Sequence, residues 1–81
     1  MPYPKQPHTN YRLRYMSGSR PVKPDMTIFN YTFPQLIQHC KNNVREDKRL
    51  SHIEVFNVEG IKVLIVDGCR AFDYQLGQYI G

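Results

Sequence analysis

Between Tyr11 and Met16 the side chains alternate: Tyr11, Leu13 and Tyr15 fall on one side, Arg12, Arg14 and Met16 on the other. That is the two-residue period of a half-buried strand. "SGSRPVKPD" then brings Gly and Pro breakers, hence a loop. "MTIFNYTF" is β-branched and aromatic and predicts a second strand. It runs into "TFPQLIQHCKNN", where Thr32 and Gln35 have capping-box spacing and Pro34 sits in the first turn, where its missing N–H costs little. Phe33, Leu36, Ile37, Cys40 and Val44 recur at helical spacing, which predicts one helix.

"REDKRLS" reads as a charged, solvated connector. His52 to Asn57 and Ile61 to Val66 are strand-like runs around "NVEG", with Asn57 opening the turn and Gly60 in its left-handed position. "VLIV" does not alternate, which suits a central strand covered on both faces. In the tail "CRAFDYQLGQYIG", Phe72, Tyr74 and Leu76 alternate, as an edge strand or a segment wrapping the core would. The order ββαββ with a C-terminal extension predicts an α+β fold, one sheet with a single helix on one face. A β-grasp-like arrangement has this order of elements. Residues 1–10, with three prolines in the first seven, read as an extended arm; 11–81 form one small domain.

Eighty-one residues support one modest core, so a surface that binds is an easier use of this chain than a deep catalytic cleft. Charge sharpens the picture. The net charge is +4, yet Met1 to Pro24 hold Lys5, Arg12, Arg14, Arg20 and Lys23 with no acid, while from Asp25 onward seven acids outnumber six bases. A one-sided positive field favours an acidic partner. "MPYPKQPHTN" lacks the apolar stretch of a secretory signal, and the longest aliphatic run, Val63 to Val66, is far too short to span a membrane. Two cysteines make no disulfide framework, so reduced thiols in a cytoplasmic setting are expected.

Candidate chemistry thins out on inspection. His52, Glu54 and Phe56 would share a strand face, the first two as a base and its orienting partner, but the plainer reading is scaffold. His39 and Cys40, adjacent on a helix, point about 100° apart and do not converge on a metal, so no metal or other cofactor is expected. Cys40 is a core residue; Cys69 precedes Arg70 without a paired histidine. Pro4-Lys5-Gln6-Pro7 has a PxxP spacing that is common by chance.

The stretch with most weight is "YRLRYMSGSRPVK". With Tyr11, Leu13 and Tyr15 packed inward, Arg12 and Arg14 project about 7 Å apart along one face, with Arg20 and Lys23 in the adjacent loop. That spacing suits a pair of carboxylates or successive phosphates. The plainer alternative is an edge strand kept soluble by charge. The expected activity is non-enzymatic binding: an accessory subunit or inhibitor that covers a surface on a larger partner, an acidic protein surface or a nucleoprotein complex. Arg12, Arg14, Arg20, Lys23 and Lys5 would make the contact, with Tyr3 as an aromatic anchor. Direct nucleic-acid binding through the same arginines is the second reading, an enzyme a distant third, and no membrane partner is expected. Small phage and mobile-element proteins, anti-CRISPR proteins among them, share this profile in size and style, though no motif carries the likeness. The chain would be a monomer or pair through an edge strand.

Overall fold

The structure, a computed structural model, describes residues 9–80. Among these, seven strands and one helix follow the chain as β1 (Thr9–Ser17), β2 (Arg20–Pro21), β3 (Met26–Tyr31), α1 (Phe33–Glu46), β4 (His52–Phe56), β5 (Lys62–Val66), β6 (Ala71–Asp73) and β7 (Gln78–Tyr79). They form an α+β unit: one antiparallel sheet in the order β2-β1-β4-β5-β6-β7, with β3 also on β1 and the helix on one face. Arg12 pairs with both Thr27 and Phe56, and Met16 with both Pro21 and His52. Hence β2 and β3 lie end to end along one side of β1, and β4 occupies the other.

The alternation in β1 decides which face packs. Tyr11, Leu13 and Tyr15 are buried against the helix side, joined there by Ile53, Val55, Leu64 and Val66 from the next two strands. A two-residue turn, Gly18–Ser19, closes β1 onto β2; Gly18 has φ 63°, a left-handed value that glycine adopts freely. The loop expected over residues 17–25 therefore contains a short strand, because the tight turn returns Arg20 and Pro21 beside Ser17 and Met16.

The helix begins where its capping box predicts. Thr32 Oγ1 accepts from the Gln35 N–H at 3.5 Å, and Gln35 Oε1 accepts from the Thr32 N–H at 3.0 Å. Leu36 and Cys40 are fully buried, with Phe33, Ile37 and Val44 around them. The helix runs to Glu46, two residues into the expected connector; Asp47 caps it and Leu50 returns to the core.

In the β4–β5 hairpin, Asn57 Oδ1 accepts from the N–H groups of Glu59 (2.9 Å) and Ile61 (3.0 Å), and Gly60 has φ 84°. β5 is central, but its cover is uneven: Val63, Leu64 and Val66 are buried, whereas Ile65 is only partly buried on the face opposite the helix. The tail adds β6 and β7 beyond β5. Between them Asp73, 5% exposed, accepts from the N–H groups of Gln75 and Leu76 and turns the chain back at Gly77. No helix among the described residues is long and apolar enough to cross a membrane.

Candidate functional site

Strand parity sends Arg12, Arg14 and Met16 to the face opposite the helix. β4 contributes their cross-strand neighbours: Phe56 opposite Arg12, Glu54 opposite Arg14, His52 opposite Met16. The row through Arg14 continues across the sheet as Glu54, Ile65, Phe72 and Tyr79, one residue from each successive strand. At about 4.8 Å per strand it spans roughly 19 Å.

Two ion-pair groups lie on this face. Asp25 bridges Arg12 Nε (3.4 Å) and Arg14 Nη2 (3.5 Å), and both guanidinium groups lie over the Phe56 ring, 5.2 and 4.8 Å from its centroid. Phe56 is only 8% exposed although no helix covers it; the arginines are part of its lid. Glu54 in turn meets His52 Nε2 at 3.6 Å and Lys62 Nζ at 3.5 Å. Toward the far edge the rings of Tyr74 and Tyr79 stand edge-on to Phe72, 5.3 and 5.2 Å away, with Lys62 near Tyr74 and the Arg70 guanidinium 4.2 Å from the Tyr79 centroid. Cations stacked on rings keep their charge available while losing side-chain freedom.

The other expected basic residues are elsewhere. Lys23 crosses to the helix side, where its Nζ lies 4.3 Å from the Tyr15 ring centroid and 4.0 Å from Asp47. Arg20, opposite Ser17, lines a shallow polar depression with Ser17, Pro21, Val22 and Arg49. Arg12 and Arg14 thus form one group, while Arg20 and the Lys23 ammonium turn to the helix side, Lys23 still lining a shallow depression with Arg14 and Asp25. Tyr3, Lys5 and the PxxP segment lie outside the described residues.

Asp47 anchors the second group: hydrogen bonding to the Arg49 side chain, helped by the Arg49 backbone N–H, holds its carboxyl down at about 2. For Asp67 burial acts to raise the pKa, but the N–H groups of Arg70 and Cys69 outweigh it and the net shift is downward.

His52 and Glu54 do share a face with Phe56, and Ser51, which the sequence reading passed over, stands on the other side of the imidazole, Oγ 2.9 Å from His52 Nδ1. A serine, histidine and glutamate in line resemble a relay for nucleophilic catalysis. The hydroxyl, however, donates to the Met16 carbonyl (3.2 Å) and accepts from the Gly18 N–H (2.8 Å). It pins the β1–β2 turn to the start of β4.

Cys40 is enclosed by the core and its thiol is pushed up to about 12 by burial; Cys69 is exposed, and both are free. Among the described residues no three His, Cys, Asp or Glu side chains converge as metal ligands.

Asp25, Tyr79 and Arg70 are members of this face that the sequence pattern did not place there, and Phe56, expected beside His52 and Glu54, was not expected beneath the arginines. Asp25 had a signal: once Leu13 pairs with Met26, the next position places Asp25 beside Arg14. Comparisons with protein-family models, curated proteins and solved structures return no match.

Proposed function

We propose that this chain is a non-enzymatic binding protein whose helix-free sheet face covers an acidic patch on a larger protein, as an accessory subunit or inhibitor would. The observation that carries the reading is the pair of guanidinium groups held over Phe56 by one shared carboxylate. A guanidinium has five N–H donors, and Asp25 contacts one nitrogen of each. The remaining donors point from a braced platform and can take a partner carboxylate in bidentate fashion. Because the ring and Asp25 already restrict both side chains, less entropy is lost on binding. The mix of arginine, methionine and aromatic side chains is also the composition enriched at the centre of protein interfaces.

Charge balance favours a protein over a nucleic acid. Arg12 and Arg14 share Asp25, and Lys62 pairs with Glu54, so the face alternates in sign. A continuous phosphate track would set negative charge against both carboxylates, whereas a protein patch can place its acids opposite the arginines alone.

The test is paired capture from the native host with wild-type and Arg12→Ala/Arg14→Ala baits, followed by affinity measurement on the purified partner. A stoichiometric protein partner lost with the double variant supports the reading. Equal capture by both baits refutes it. Submicromolar binding to oligonucleotides whose salt slope falls by about one unit per arginine removed would replace it with direct nucleic-acid recognition.

A further inference from the structure

The edges of this sheet are unequally protected. β2 is two residues long and contains Pro21; β7 is also two residues long. Short strands and prolines are common ways to blunt an edge. β3 has six residues, "MTIFNY", with no charge and no proline, and among the described residues its sole strand neighbour is β1. Met26 and Phe29 on this edge are 49% and 61% exposed. The one irregularity is a bulge in which Phe29 and Asn30 face Asn10 alone, with Asn30 at φ 62°; it leaves Met26 to Phe29 extended.

We infer that this edge pairs with the same edge of a second copy, antiparallel about a twofold axis centred on Ile28. The sequence is self-complementary in that register. Ile28 meets Ile28 of the copy, and Phe29 stands opposite Thr27 on the helix-free face, twice. An aromatic beside a β-branched residue is a favourable cross-strand pair. No like charges meet, because Met26 to Tyr31 carry none. Every ladder in the sheet is antiparallel, so the added strand continues the existing pattern. The joint is small, which places it in the weak class of interfaces, with a dissociation constant on the order of 10–100 μM.

The pairing has a consequence for the proposed binding face. A twofold axis normal to the sheet keeps both helix-free faces on one side. The two Arg12–Arg14 pairs then lie three strand spacings apart across the sheet and are offset by about four residues along it, so their centres are about 20 Å apart with all four guanidinium groups on one side. A partner with two acidic patches at that distance would gain by avidity.

Sedimentation equilibrium tests the inference. The wild-type weight-average mass should rise from 9.6 kDa toward twice that value between about 5 and 500 μM. Phe29→Lys, which places a charge on the edge, should stay at the lower mass while circular dichroism shows the same fold. Leu76→Lys removes an apolar side chain of similar exposure (63%) far from β3 and should leave association intact. A wild-type protein that stays monomeric at 500 μM overturns the inference, as does a Phe29→Lys variant that still dimerises. Equal loss in both variants also overturns it, since association would then follow general surface hydrophobicity.

Discussion

Removing the Phe56 ring should be costly for a residue on the face opposite the helix. Phe56 is 8% exposed, so its transfer from water is worth roughly 1.5–3 kcal/mol. Two guanidinium contacts on a partly solvated ring add about 0.5 kcal/mol each. Freed arginines collapse partly into the space, so Phe56→Ala should cost about 2–3 kcal/mol. For a chain of this size that lowers Tm by roughly 10–20 °C. Phe56→Leu keeps most of the apolar area but loses the π-face, and should cost about 1 kcal/mol. The assay is urea denaturation followed by circular dichroism, with Arg14→Ala completing a double-mutant cycle against Phe56→Leu. A coupling of about 0.3–0.8 kcal/mol is expected from the stacked geometry. If Phe56→Ala costs under about 0.5 kcal/mol and the cycle shows no coupling, the arginines are not stacked on the ring. The argument for a braced platform then fails.

Other expectations follow from single features. Arg12→Ala/Arg14→Ala should retain the native circular dichroism spectrum, with a loss of at most about 1–2 kcal/mol, since both side chains are partly solvated. Native protein should take up one equivalent of a thiol reagent at Cys69. Cys40, at about 12, is about one part in ten thousand thiolate at pH 8 and should react only on unfolding, which mass spectrometry of the labelled chain reads directly. Asp47 should titrate near 2 by carboxyl NMR, against the ordinary 3.8. Its folded-state value is depressed, so its contribution to stability is present above about pH 4 and lost as pH falls toward 2; Asp47→Asn should flatten that part of the acid-unfolding curve. Gly60→Ala must place a Cβ at φ 84° and should cost about 1–2 kcal/mol in the same denaturation assay.

Local signals in the sequence carried far. The alternation through Tyr11, Leu13 and Tyr15 identified the packed side of β1, and Thr32 with Gln35 located the helix start. Asn57 and Gly60 defined the second hairpin. Each of these depends on residues within a few positions of one another. The binding face was only half legible because its other half is long-range. The acid-free stretch up to Pro24 looked unopposed, yet the β1–β3 hairpin folds Asp25, the next residue, onto both arginines. Arg20 and Lys23 seemed to extend the same patch, but the tight turn at Gly18 and Ser19 carries them to the helix side, where Asp47 and Arg49 arrive from the end of the helix. In the tail, Phe72, Tyr74 and Leu76 alternate on paper, whereas Asp73 ends β6 with a side-chain turn that periodicity does not encode.

The most direct test of the central claim is an NMR titration of the 15N-labelled chain with a synthetic Asp/Glu-rich decapeptide, run beside an oligonucleotide of equal charge. Shifts from the peptide concentrated at Arg12, Arg14, Glu54, Phe56 and Lys62, and abolished by Arg12→Ala/Arg14→Ala, are the predicted result. Shifts centred on Arg20, Lys23 and Arg49 behind the sheet, or none on the helix-free face at millimolar peptide, would contradict the account.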